Sequence, residues 1–397
     1  MADKVVIVGA IRTPVGAIGG GLAPLQAREL ATIAIKALLE TSGVDPEVVE
    51  YTCMGWVMQD PRSPNLAKSA AEFAGVPSSS PGTTFHENCA SAGAAIHSLA
   101  RRIRLDEVAI GVAGGVESMS NVARYLYTGR LKGQLYGDMT LVDGLFGALT
   151  DVNVGDGELM GLLTERLAER YDVSRAEQDE IAYASHQHAL AAWKEGYFDD
   201  YVIPVEVPQR RGEPVVVDRD EGPRPLSKED LANARPYFKP DGGTITALNA
   251  SSLNDGAAVV LLASAERAAE LGLEPLAELD SWYNLGVDRE YMGEGAFKVV
   301  PPLLGRAGVG IGDVDFFELN EAFAAVLGGA FKDLPELDRT KTNQWGSGIS
   351  LGHPVGCTGA RQIVDMVHQL HRRGGRIGLT SRCVGGGIGS GEVVRLP

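Results

Sequence analysis

The sequence predicts an α/β protein built from two related halves, and three observations carry that reading. Strand-like apolar runs alternate with segments whose apolar residues recur at helical spacing; an order of helix, strand and glycine cluster occurs twice; and a shorter glycine-containing link also occurs twice. Val5 to Val8, followed by Gly9 and Ala10, reads as a buried strand, and Leu25 to Glu40 as the helix after it. A second helix begins near Cys89 and runs through Ala94, Ile96, Leu99 and Ile103, and Val108 to Gly115 follows as strand and glycine turn. The order returns near the C-terminus, with Gly359 to Arg373 as helix, Arg376 to Leu379 as strand and Gly385-Gly386-Gly387 as glycine turn. The link Ser42 to Glu50 has its counterpart in Ala307 to Asp315, each after a helix and before a strand.

Residues 121–247 have no place in this scheme. They hold polar loops, the helical Thr164 to Gly196 and the turn-rich Gln209 to Pro240, and are expected to lie as an insertion over the core. The expected organisation is thus 1–120 as the first part of the N-terminal half, 121–247 as an inserted loop domain, 248–270 as the rest of that half, and 271–397 as the C-terminal half.

Composition narrows the function. With 397 residues, 44% of them hydrophobic, the chain can bury two ordinary cores. A net charge of -16 without a Lys/Arg run argues against nucleic-acid or membrane binding, although a few local cations and backbone N–H groups still suffice to hold an anionic ligand. Cys53, Cys89, Cys357 and Cys383 are widely spaced, with no Cys-x-x-Cys pair, and read as free thiols of a reducing compartment rather than a metal site. The start, Met1-Ala2-Asp3-Lys4, runs straight into the first strand, so a cytoplasmic location is expected.

Four segments could carry chemistry. Cys89, in Glu87-Asn88-Cys89-Ala90-Ser91-Ala92-Gly93, sits where small residues begin a helix, and the helix dipole there should lower the thiol pKa and favour a nucleophile over a buried small apolar residue. His353 lies between Gly352 and Pro354 at the matching place in the second half. It reads either as a base brought to Cys89 by a pseudo-twofold or as a helix cap, and the motif supports both. Cys383 precedes Val384 and three glycines, whose backbone can approach a ligand and offer N–H groups to an oxyanion. Asn320, in Glu318-Leu319-Asn320-Glu321-Ala322-Phe323-Ala324, fits a helix cap and a water-holding residue equally. Cys357 and Cys53 are expected to be structural, and His186, His188, His368 and His371 to be solvated.

Together these segments resemble the thiolase family along nearly the whole chain. The similarity includes Ile11 to Gly16, the Cys89 segment, Gly114 to Ser120, Met160-Gly161, Ser174 to Asp179, Asn249 to Ala257, and the segments around Asn320, His353 and Cys383. The resemblance implies a five-layer αβαβα fold of two duplicated halves with an inserted loop domain. It implies Cys89 as acyl-carrying nucleophile, His353 as its proton acceptor and Cys383 as the acid/base at C2 of acetyl-CoA. Asn320 would hold a water that forms an oxyanion hole with His353, and the N–H groups of Cys89 and Gly385 a second one. Ser251 and Met160 would touch CoA. No permanently bound cofactor is implied, coenzyme A being a substrate, and homodimers or homotetramers are expected, with Tyr125 to Leu149 suited to their contacts. A ketoacyl-synthase-like enzyme and a non-catalytic acyl-CoA-binding subunit are the competing readings; a second thiol before three glycines argues against the first, and the full set of catalytic side chains against the second. Leu159 stands where many short-chain biosynthetic members have histidine, and Trp345, Ser347 and Arg382 also depart from the pattern. These changes are expected to reshape the acyl pocket for a substrate other than acetoacetyl-CoA.

Overall fold

A computed structural model describes residues 4–126 and 137–397. Part of the proposed contact segment Tyr125 to Leu149, and the first three residues, lie outside the described residues.

The two halves repeat one strand arrangement. In the first, Val5–Arg12 pairs antiparallel with Asn254–Ser264, which pairs antiparallel with Ile110–Ser118; Tyr51–Gly55 then lies parallel to that strand, with Gly82–Phe85 at the edge. In the second, Ala277–Gly286, Ile388–Arg395, Ile377–Val384 and Phe316–Leu319 repeat the antiparallel, antiparallel, parallel order. The halves join through their first strands, at Val6↔Glu278 and Ile7↔Ala277. The short links match as well. Helices Ala27–Ser42 and Val300–Ala307 each end on a left-handed glycine, Gly43 and Gly308, and pass through a 3₁₀ turn, Pro46–Val48 or Ile311–Asp313, into the parallel strand.

Side-chain alternation then fixes five layers. Along Asn254–Ser264, Ala258, Val260 and Leu262 face a central core, while Ala257, Val259, Leu261 and Ala263 face an outer one. Along Val5–Arg12 the alternation slips between Ile7 and Gly9, where a bulge inserts a residue, so Val5, Ile7 and Ala10 share the central side. Helices Ser91–Arg104 and Thr358–Arg373 fill the central layer, and strands of both halves cover them. Ala27–Ser42 and Leu66–Phe73 form one outer layer, and Val300–Ala307 with Ala324–Asp333 the other.

Where the fold departs from expectation, burial is the usual reason. Gly114 and Gly115 form no turn: the strand continues to Ser118, and glycine is required because a Cβ on Gly115 would lie 2.1 Å from the Gly356 carbonyl oxygen. The true turn is Gly385-Gly386-Gly387, with Gly386 and Gly387 at φ 95 and 80, and in the first half residues 119–253 occupy that same hairpin connection. The helical stretch Thr164 to Gly196 is two helices, Met160–Arg170 and Arg175–Lys194, the second started by a Ser174/Glu177 capping box. Gln209 to Pro240 contains half of a small hairpin, Val205–Val207 with Val215–Val217, and the helix Lys228–Asn233. Cys53 lies inside the strand Tyr51–Gly55. His186 and His368 are not solvated: His186 accepts the Arg224 N–H, and His368 stacks on Tyr201 and reaches the Ala10 carbonyl.

Three fully buried arginines, Arg12, Arg361 and Arg382, are held in charge networks between the layers. Arg12 bonds Asp220 of the inserted segment at 2.7 and 3.0 Å and Asp365 at 2.8 Å, while Arg361 bonds Asp365 and Glu318 at 3.0 and 2.8 Å. Arg382 pairs with Glu392, which also meets His97 Nε2 at 2.7 Å. Burial opposes ionisation of Glu392, but Arg382 and His97 overcome it and hold the carboxyl down to about 2. Arg382→Met is therefore expected to lower stability by about 3–5 kcal/mol at neutral pH, because His97, held low by burial, is a poor substitute cation. A depressed carboxyl contributes fully above its ordinary 4.5 and loses that contribution as pH falls toward about 2. Urea denaturation at several pH values should show the gap to wild type narrowing below that ordinary value; a loss near zero at neutral pH would show that the pair contributes nothing net.

Candidate active site

The cavity between the halves and the inserted segment is lined by Cys89, His353, Cys383, Gly385, Ser251 and Met160. Cys89 meets His353 and Cys383, both far along the chain from it, because Cys89 and His353 sit at corresponding joints of the repeat and Cys383 at the strand end beside them. Cys89 precedes helix Ser91–Arg104, His353 precedes helix Thr358–Arg373, and Cys383 ends the strand that runs into the glycine turn.

The loop before Cys89 is built by its neighbours. Asn88 takes a left-handed conformation, φ 45, to which asparagine is better suited than most residues, and its Nδ2 donates to the Gly385 carbonyl at 2.8 Å. Ser91 braces the same loop, accepting the Glu87 N–H at 2.9 Å and donating to the Asn88 carbonyl at 2.7 Å. The backbone N–H groups of Gly385 and of Cys89 itself lie near the Cys89 sulfur and favour its ionised form.

The electrostatics reverse the expectation for Cys89. Burial pushes its thiol up to about 11, against the pull of those N–H groups, so the helix start does not leave a resting thiolate. Burial, then the charges of Arg361 and Arg382, bring His353 down to about 3, and burial followed by the nearby Cys89 raises Cys383 well above an ordinary thiol. All three groups therefore rest neutral at pH 7, and charge forms only as a pair when a proton moves. Cys357 and Cys53 are likewise raised to about 12 by burial, and neither lines the cavity.

His353 does not cap its helix. Cys357 holds the cap position, whereas His353 Nδ1 lies 2.6 Å from Thr358 Oγ1 and the His353 N–H donates to Asn254 Oδ1 at 2.9 Å. Nor does Asn320 cap anything: helix Ala324–Asp333 begins after Phe323. Asn320 is fully buried behind the histidine, its Nδ2 3.5 Å from His353 Nδ1 and its Oδ1 without a protein partner. Glu117 closes the rear of the site, accepting the N–H groups of Val57, Met58 and Gly356 at 3.2, 3.2 and 2.9 Å; burial pushes it up to about 7.

Asn88, Asn254, Thr358 and Glu117 were not legible as site residues. Asparagine before a candidate nucleophile was the one local signal; Asn254 and Glu117 act through contacts across the fold, and Thr358 through a bond to His353 within its own segment. The departures from the family pattern also sort differently. Leu159 lines the cavity, but Trp345 packs on Tyr197 and Phe198, Ser347 donates to Glu318, and Arg382 is bound to Glu392 between the layers. Those three support the core and do not shape the acyl pocket.

Residues 5–266 match the thiolase N-terminal domain and residues 273–396 the thiolase C-terminal domain. The acetyl-CoA acetyltransferase of Chromobacterium violaceum is 42% identical over 99% of this chain and 100% of its own. The crystal structure of the Bacillus anthracis acetyl-CoA acetyltransferase superposes with a TM-score of 0.95 at 41% identity, covering 99% of this chain and 98% of that one. Human mitochondrial 3-ketoacyl-CoA thiolase in complex with CoA gives a TM-score of 0.94 at 36% identity, with the same coverage. Fold and cavity thus define an acyltransferase of the five-layered α/β class. The chain belongs to the thiolase family.

Among the described residues, no helix is long and apolar enough to cross a membrane.

Proposed function

We propose that this thiolase cleaves 3-ketoacyl-CoA with CoA, or runs the reverse Claisen condensation, through an acyl group carried on Cys89. The observation that carries the reading is the opening of Cys89, His353, Cys383 and Gly385 onto one cavity. In cleavage, Cys89 gives its proton to His353 and its sulfur attacks the C3 carbonyl carbon, the N–H groups of Cys89 and Gly385 stabilising the oxyanion. The C2–C3 bond then breaks, its electron pair passing to the acetyl-CoA enolate, which takes a proton at C2 from Cys383. His353, now protonated, and a water held by Asn320 stabilise the enolate oxygen; the partnerless Asn320 Oδ1 supports that assignment. CoA next returns a proton to Cys383 and attacks the acyl-enzyme, and the departing Cys89 sulfur recovers its proton from His353. One thioester is exchanged for another, so the acyl group stays activated.

Ser251 and Met160 contact CoA in this reading, and both line the cavity. Leu159, Phe238, Met292 and Phe323 make the lining apolar and support an acyl group larger than acetoacetyl. Four free cysteines fit a reducing cytoplasm, and the open sheet edge at Gly82–Phe85 supports pairing with a second copy in a homo-oligomer.

Incubation with CoA and a series of 3-ketoacyl-CoAs of increasing length is expected to release acetyl-CoA and to leave a mass adduct on the Cys89 peptide, with kcat/KM highest above the four-carbon substrate. No product and no adduct at any length would overturn the reading; a maximum at acetoacetyl-CoA would overturn the chain-length assignment.

A further inference from the structure

We propose that Thr358 is a positioning residue that holds resting His353 with its proton on Nδ1, leaving Nε2 bare as the base. The inference deepens the function proposed above and rests on its use of His353. Thr358 is fully buried at the first position of helix Thr358–Arg373. Its Oγ1 lies 2.6 Å from His353 Nδ1 and 3.1 Å from the Pro354 carbonyl oxygen.

Proton counting decides how those contacts are used. A hydroxyl has one proton, and a carbonyl oxygen can only accept. Both contacts are hydrogen bonds at once only if the hydroxyl donates to Pro354 and accepts from Nδ1–H. The tautomer of a histidine is set by the bond its other nitrogen makes. At 3.5 Å the Asn320 amide is a far weaker neighbour of Nδ1 than Thr358 Oγ1 at 2.6 Å, so Thr358 sets the tautomer and Asn320 Oδ1 stays open to a water.

The consequence is a single nitrogen that works in two directions. Bare Nε2 takes the Cys89 proton, and the same proton is then the one it offers to the enolate oxygen. With the proton on Nε2 at rest, the ring would present a donor to the thiol and could not start the reaction. Burial, which strongly disfavours resting imidazolium, makes the choice between neutral tautomers the one that matters.

Two readouts test this. In ¹⁵N-histidine NMR of the resting protein, with the His353 signals assigned by their loss in His353→Asn, Nδ1 should carry the proton and Nε2 none; a protonated Nε2 overturns the proposal. In thiolysis, Thr358→Ser should stay within about threefold of wild type, while Thr358→Val, of the same shape, should lose roughly 10- to 100-fold in kcat with KM for CoA little changed. Equal losses in both variants, or none in Thr358→Val, would reduce Thr358 to packing and overturn it. If wild type fails to turn over any 3-ketoacyl-CoA, the proposed function falls, and the NMR measurement still decides the tautomer.

Discussion

Cys89→Ser is expected to lower thiolysis by about three orders of magnitude or more and to stop the enzyme after at most one acyl transfer. The reason lies in both half-reactions. For attack, the wild-type thiol is already pushed up to about 11, and its acceptor, His353, down to about 3. The pair ionises only as charge builds in the transition state, so a hydroxyl, a far weaker acid, makes that transfer steeper still. For release, an acyl group on serine is an oxygen ester, which lies below a thioester in energy. Returning it to CoA is uphill, whereas sulfur-to-sulfur exchange is nearly level. Initial rates and intact-protein mass spectrometry, run together, should show slow loss of substrate with an acyl-serine that persists in excess CoA. Turnover at the wild-type rate would remove Cys89 as the carrier.

The sequence exposed features written into local pattern and hid those that depend on burial. The repeat could be read because helical spacing, terminal glycines such as Gly43 and Gly308, and short links are local signals. The glycines at 114 and 115 were misread for a related reason: a turn and a close backbone approach both demand glycine, and only the packing of Gly356 on the strand separates them. The break before helix Arg175–Lys194 had its signal in Ser174-x-x-Glu177, which the longer apolar period masked. At the site, reactive residue types in glycine-rich segments pointed to Cys89, His353 and Cys383. Their protonation states did not follow, because the helix-terminus effect is small beside the cost of charging a thiol inside a cavity walled by protein. Thr358 and Asn254 carry no mark of their role, since each matters through one bond to His353, which lies 5 residues before Thr358 and 99 after Asn254, and neither residue type announces such a bond.

Cys383→Ala is expected to separate acyl transfer from carbon–carbon chemistry. Cys383 is almost fully buried at the end of strand Ile377–Val384, and burial together with Cys89 keeps it protonated at neutral pH. In cleavage a protonated thiol is what the enolate carbon needs. In condensation the high pKa helps in the opposite sense: once ionised, Cys383 is a stronger base than an ordinary thiolate, which narrows the gap to the very weak acidity of a thioester C2–H. Alanine removes one sulfur atom and leaves the Cys89–Gly385 and His353–Thr358 contacts in place. The variant should therefore still take an acetyl group from acetyl-CoA onto Cys89 and pass it to labelled CoA within about tenfold of wild type. Thiolysis of 3-ketoacyl-CoA should fall by about a thousandfold, the scale of general acid–base catalysis by one positioned group. Deuterium uptake at C2 of acetyl-CoA in D₂O isolates the same step without any carbon–carbon bond and should disappear with it. Retained C2 exchange at the wild-type rate would assign the proton to another group, whereas loss of acyl exchange together with C2 exchange would mean that the sulfur is needed for the shape of the cavity rather than for its proton.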